Sequence, residues 1–306
     1  MAGWIQGLAM SSKTEMSISS DSFLQGSELR RFFRVFFKRG LVTLGVVAML
    51  LFLVTAAFGP LFSPYNPYAQ DLRNVLAKPS LKHLLGTDSL GRDTMSRLIY
   101  GARITLAVGI VAVMIGAVFG SILGLIAGFF GGWVNTIIMR LTDALMAVPP
   151  LLLALVLAAL LGTGIKNVML AVGFSLMPVF SRLLCGQTLS VREHEYVLAV
   201  RTVGAGNARV MFLHVLPNCL APLIVQITLT IGGAILMEAS LSFLGLGIAP
   251  PAAAWGSMVY DGYRYLTTHP VLSFAPGLAV MIVVLAFNMV GDGLRDSLDP
   301  RLRGVI

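Results

Sequence analysis

Charge is scarce in this sequence. Only 12% of its 306 residues are Asp, Glu, Lys or Arg, about half the share of a soluble globular domain. A chain of this length cannot cover a water-facing surface with so little charge, which argues against a soluble enzyme. Cysteine is scarcer still. Cys185 and Cys219 are the only two, which excludes a disulfide scaffold and a cysteine-rich metal site. No Gly-Lys dipeptide occurs, so there is no phosphate-binding loop that ends in Gly-Lys. His-Glu-x-x-His and Gly-x-Ser-x-Gly are missing as well. The four histidines, His83, His194, His214 and His269, lie far apart and offer no metal-ligand spacing.

What is present is apolar. Hydrophobic residues make up 57% of the chain, and the mean hydropathy is +0.85. This excludes disorder and makes an all-α integral membrane bundle the expected fold. A hydrocarbon core of ~30 Å needs ~20 apolar residues in helix. Six stretches qualify: Leu41–Gly59, Arg103–Phe130, Val134–Leu161, Asn167–Ser190, Pro217–Gly245 and Val271–Val290. The first lacks a small-x-small cleavage pattern and reads as an uncleaved span. An even number of spans puts both termini on one side. With that side inside, 14 of the 22 basic residues are inside, the sign the positive-inside rule requires. The net charge of +8 then reflects a cytoplasmic face and does not indicate nucleic-acid binding. The chain divides into a tail over 1–26, a segment 27–101 with the first span and a long polar loop, a core 102–294 with five spans, and a tail 295–306.

Leu29, Phe32, Phe33, Phe36 and Phe37 recur at helical spacing. Arg30, Arg31, Arg34 and Lys38 occupy the other face, and Ser27 stands at the cap position. That pattern predicts a short helix lying in the membrane interface. Gly116, Gly120, Gly124 and Gly128 form a stripe at every fourth residue, which predicts close packing against another helix. Among the charges inside spans, Glu238 is the candidate pathway or gate residue. Its alternative is a structural partner for Ser240 or Ser242. Arg140 and Asp143 are three residues apart and are expected to pair. The charges that close the last span, Asp292 to Asp299, are expected to tie the C-terminus to neighbouring loops.

The loop after the fourth span holds a short amphipathic stripe, Tyr196, Ala199, Val200 and Val203, ended by Gly204 and Gly206. It is too short to span. An exposed apolar stripe of this kind either seats in a partner's groove or lies flat on the membrane. A second short helix runs to Leu216, and Pro217 opens the fifth span.

Ala199-Val200, Gly204 and Leu216-Pro217 resemble the cytoplasmic EAA loop of bacterial ATP-binding-cassette importer permeases. Leu198 stands where the generic motif has Glu, and His214 where Ile is usual. Tyr196-Val197-Leu198-Ala199-Val200-Arg201, Gly204-Ala205 and His214-Val215-Leu216-Pro217-Asn218 are similar to the dipeptide and oligopeptide branch of that family. Its C-type subunit is also resembled by Leu85–Asp93, by Ala239–Gly247 with Pro250-Pro251 and Trp255-Gly256, and by Phe287–Asp296 with Leu298-Asp299-Pro300.

The resemblance implies a type I importer permease of six transmembrane helices. It resides in the bacterial inner membrane with both termini cytoplasmic, and it translocates di- or oligopeptides or related small solutes. The implied partners are a homologous second permease subunit, two ATPase subunits that carry ATP and Mg, and a periplasmic substrate-binding protein. This chain itself would bind no cofactor and no metal. Glu195, Tyr196, Ala199, Val200, Arg201, Val203, Gly204, Leu216 and Pro217 would form the ATPase-coupling loop. The alternative is a secondary transporter or channel subunit not driven by ATP.

Overall fold

The computed structural model describes residues 32–298. Its helices are α1 (Gly40–Phe62), α2 (Thr94–Phe130), α3 (Gly132–Met146), α4 (Pro150–Leu161), α5 (Ile165–Arg192), α6 (Glu195–Thr202), α7 (Asn207–Phe243), α8 (Trp255–Tyr263) and α9 (Val271–Leu298). Among the described residues no strand forms, and a single bridge joins Thr87 to Asp93.

Helices α1, α2, α5, α7 and α9 are each long and apolar enough to cross a membrane. Helices α3 and α4 meet that test only as a pair, bent by 89° where Pro149 and Pro150 interrupt the chain. The register of α2 on α5 decides how this pair counts. Gly116 lies against Gly173 and Leu176, Gly120 against Met177 and Phe180, Gly124 against Ser181 and Leu184, and Gly128 against Cys185 and Thr188. Both sets of numbers rise together, so α2 and α5 run parallel. A chain that leaves the end of α2 must therefore cross back before it enters α5. Only α3 and α4 lie between, so the bent pair is one broken span. The described residues make six crossings, as the hydropathy pattern predicts.

The stripe glycines let the α2 and α5 backbones nearly touch. A Cβ would fall 2.8 Å from the Gly173 carbonyl at Gly116 and 2.8 Å from Phe180 Cβ at Gly120. At Gly124 it would fall 2.9 Å from Leu184 Cβ, and at Gly128 2.7 Å from Thr188 Cβ. In lipid there is little hydrophobic drive between helices, so close van der Waals contact of this kind is what holds a bundle.

The other long helices pack antiparallel. Gly109 of α2 receives Ile235 of α7, and Gly232 of α7 faces Val284 and Asn288 of α9. Helix α1 is peripheral. Gly45 lies on Ala286 and Met289, and Val42 lies on Gly293. Its opposite side exposes Leu41, Leu44, Val47 and Leu51. These registers gather the start of α1 and the ends of α2, α5 and α9 at one end of the bundle, here the terminal end. Residues 63–93 and 244–270 form the far end.

Several expectations change. The second span starts at Thr94 rather than Arg103, because Asp93 caps it. Asp93 Oδ2 accepts from the Ser96 N–H at 2.8 Å and from the Ser96 hydroxyl at 2.7 Å. The helix of the fifth span, α7, starts at Asn207 rather than Pro217. Residues Val210–Val215 form a π turn, whose wider winding accommodates the ring of Pro217 inside a continuous helix. Arg140 and Asp143 do not pair. Helix α3 lies against α5, and Asp143 bonds Arg182 there.

Residues 32–36 are helical, and their aromatic rings divide into two pairs. Phe32 stacks on Phe36 at 5.8 Å, and Phe36 is buried against Val42 and Val290. Phe33 stacks on Phe37 at 6.3 Å, and both are exposed. Arg39 pairs with Asp296 at 3.1 Å, which ties the start of α1 to the end of α9. Ser27, Leu29, Arg30, Arg31 and Asp299 lie outside the described residues, as do the tail over 1–26 and residues 300–306.

At the far end the charged residues of 85–97 form a buried network. Arg92 Nε meets Asp88 at 2.6 Å, Arg97 reaches the same carboxylate at 3.5 Å, and Arg92 also faces Asp261 at 4.0 Å. Arg97 donates to the carbonyls of Pro67 and Pro251 at 3.3 and 3.5 Å. Burial pushes the Asp261 carboxyl above the usual carboxylate range, while Arg92 and Arg97 pull it back. The buried Trp255 donates from Nε1 to the Leu98 carbonyl at 2.9 Å. The polar loop, the start of α2 and the return into α8 are thus one braced unit.

Candidate functional site

Helix α6 has eight residues, too few to hold a helix in water alone. The bundle holds it instead. Val197 is fully buried in the core, and Val200 and Ala205 pack against it. Two cationic side chains brace its base. Arg192 Nη1 donates to the Gly128 carbonyl at 2.9 Å, and the Arg201 guanidinium lies 4.9 Å over the Phe129 ring. Both contacts reach the last turn of α2. Tyr196 donates its hydroxyl to the His214 carbonyl at 3.3 Å.

Gly204 ends the segment with φ of +88°, a conformation that suits glycine. Its N–H donates to the Arg201 carbonyl at 2.9 Å, and the Ala205 N–H donates to the Val200 carbonyl at 3.3 Å. The chain then enters α7 directly.

With Val197 and Val200 turned inward, the outer face is set. Tyr196 is 42% exposed and Val203 89%, and Ala199 between them is exposed as well. Glu195 is exposed in the first turn of α6, where a carboxylate complements the helix dipole. Val200 does not share the outer face with Tyr196, Ala199 and Val203, as the stripe read from sequence had it. Leu216 packs against the core, and Pro217 is exposed on α7. Sequence reasoning missed Val197, Phe129 and Arg192. The signal for Val197 was its three-residue spacing to Val200, a second stripe beside the first.

Glu238 has no exposed surface. Ser242 donates its hydroxyl to Glu238 Oε1 at 2.8 Å and accepts from the Ile248 N–H at 3.2 Å. This relay holds the turn that leads from α7 back towards α8. Glu238 Oε2 has no hydrogen-bond partner. The residue lines neither the groove between α5, α7 and α9 nor the cavity beside Asp88 and Asp261.

No group of three or more His, Cys, Asp or Glu side chains converges among the described residues. His83 bonds Asp93 at 2.8 Å, and His269 bonds Thr268 at 3.0 Å.

Residues 120–304 match the family described as binding-protein-dependent transport system inner membrane component. Residues 27–79 match the N-terminal TM domain of oligopeptide transport permease C. The chain is 41% identical over 283 residues to the dipeptide transport system permease protein DppC of Alkalihalophilus pseudofirmus, covering 92% of this chain and 93% of that one. It is 42% identical over 274 residues to the glutathione transport system permease protein GsiD of Escherichia coli O6:K15:H31, covering 89% and 90%. A GsiD of Shigella flexneri serotype 5b is 43% identical over the same length. The short helix braced on the end of the six-crossing bundle, Glu195–Thr202, lies within the residues that match the first of these families. The chain therefore belongs to the family of binding-protein-dependent transport system inner membrane components and is a permease subunit of an ATP-binding-cassette importer, not an enzyme.

Proposed function

We propose that this subunit helps move di- or oligopeptides, or related small solutes such as glutathione, across a bacterial inner membrane. It pairs with a second, homologous permease subunit. Two ATPase subunits supply the energy from ATP and Mg, and a periplasmic binding protein delivers the solute. The terminal end is cytoplasmic, a reading supported by the excess of basic residues there.

One observation carries the coupling role. Val203, Tyr196 and Ala199 present an exposed apolar face on a segment that is braced against the end of α2, follows α5 directly and is joined to α7 by the short turn at Gly204. An ATPase subunit that grips this face moves the ends of three spans together. Such coupling acts through rigid-body motion between two states.

Glu238 serves in this reading as a positioning group for the 244–254 turn and not as part of a water-facing wall. Glu238→Gln keeps an acceptor for Ser242, and uptake per assembled complex is expected to stay near the wild-type value. Glu238→Ala leaves a void and an unpaired hydroxyl, which costs about 2–4 kcal/mol. It is expected to lower the melting temperature in detergent and uptake together. Loss of uptake in Glu238→Gln at unchanged stability would assign the carboxylate to the pathway instead.

The importer reading is tested in cells or proteoliposomes holding the whole complex. ATP depletion with the proton gradient maintained is expected to stop dipeptide uptake. Uptake that persists would make this a secondary transporter.

A further inference from the structure

A groove of about 1240 Å³, counting the solvent at its open side, lies between α5, α7 and α9 at the terminal end. Its walls are the two helices that the coupling segment joins, α5 through Leu183 and Gln187 and α7 from Asn218 to Leu229. It closes where Leu229 packs on Gly291 of α9. A movement that changes the separation of α5 and α7 at this end changes its width.

The chemistry of the lining is selective. Gln187, Asn218 and Gln226 supply amide groups, and Arg295 supplies a cation. Among the described residues no carboxylate lines it. Asp296, one residue on, is engaged by Arg39. Asn218 donates to the His214 carbonyl at 2.8 Å, and Gln226 donates to the Thr230 hydroxyl at 3.1 Å. Each amide keeps its carbonyl oxygen to accept from a bound molecule. Membrane bundles place such polar side chains on water-filled paths or in contact with protein, and this wall is open.

We propose that this groove is a solute vestibule, in which Arg295 receives a solute carboxylate while Gln187, Asn218 and Gln226 hold its peptide groups. The proposal rests on the importer reading above and narrows its cargo. A carboxylate-bearing peptide meets complementary charge here. A cationic metal complex meets only a like charge, which guanidinium groups repel.

The test uses the assembled complex in inverted vesicles. Ala221 lines the groove without a role in the proposed contacts, so Ala221→Cys provides a reporter thiol. The parent chain, whose two cysteines are buried, is the blank. The thiol is labelled with an anionic sulfonatoethyl or a cationic trimethylammonioethyl methanethiosulfonate, each rate being divided by the rate with free cysteine. The anionic reagent is expected to be favoured about tenfold, as charge focusing in a cleft allows. Arg295→Gln should remove the preference. Millimolar dialanine should slow labelling more than dialanine amide, and Arg295→Gln should erase that difference too.

A normalised ratio that ignores Arg295 would overturn the proposal. So would no labelling by either reagent, the result if the second permease subunit fills the groove. ATP-dependent dipeptide uptake, measured on the same unmodified complex, separates the two readings. Its absence sinks the importer assignment, whereas normal uptake with Arg295-independent labelling sinks only the vestibule.

Discussion

Alanine at Gly124 is expected to disrupt the bundle. The added methyl would meet Leu184 Cβ and the Cys185 amide nitrogen at 2.9 Å, and the Ser181 carbonyl closer still. None of these is the free end of a flexible side chain. Helices α2 and α5 would have to separate along their whole parallel contact. Overpacking of this kind costs about 1–3 kcal/mol or more, and here it loosens the most extensive helix–helix contact among the described residues. The expected result is a sharp loss of folded protein in membranes and a lower melting temperature in detergent. Gly233→Ala is the control, since a Cβ there meets nothing within 4 Å. Alanine is the better helix former by about 1 kcal/mol, so that variant should melt at or above the wild-type temperature. Equal melting of Gly124→Ala and the wild type would contradict the parallel register of α2 and α5.

Aspartate at Val203 is expected to leave the chain folded and to uncouple it. The side chain is 89% exposed, so the isolated subunit loses almost no packing. A charge on an apolar docking face costs about 2 kcal/mol or more, roughly thirtyfold in affinity. Co-purification of the ATPase subunits should fall accordingly, and solute-stimulated ATP hydrolysis should vanish. Gly204→Pro should have the same outcome by another route. Proline cannot adopt φ of +88°, and it removes the N–H that bonds Arg201. Val197→Asp is the contrast. Val197 is fully buried, so that variant should fail in folding as well as in coupling. Val203→Asp with wild-type ATPase recovery would move the docking face elsewhere on the segment. A charge at Val200 is the less clean experiment, because that side chain packs inward.

The α6 face illustrates what was legible in one dimension and what was not. The spacing of Tyr196, Ala199, Val200 and Val203 marks a helix, and Gly204 marks its end. But Val197 and Val200 form an equally good stripe on the same helix. Eight residues cannot say which stripe is inward, because that depends on the end of α2, remote in sequence, where Phe129 lies under Arg201. Arg140 and Asp143 fail in the same way. Their spacing permits a pair, yet a partner on α5 lies nearer. Pro217 reads as a helix start until the π turn before it is seen.

Properties that belong to a single helix were determined by the sequence alone. Six apolar runs, the glycines at every fourth residue from Gly116 to Gly128 and the short amphipathic segment over 196–203 are set by hydropathy and periodicity within about twenty residues. Such signals need no knowledge of neighbours. The tertiary structure decided the parallel register of α2 on α5, the counting of α3 and α4 as one crossing, the enclosure of Glu238 beside Ser242, and the groove that ends in Arg295. Each of these rests on contacts between residues remote in sequence, and several on close approaches of backbone to backbone. Close packing is specific to position within a fraction of an ångström, a precision that a pattern of residue types does not contain.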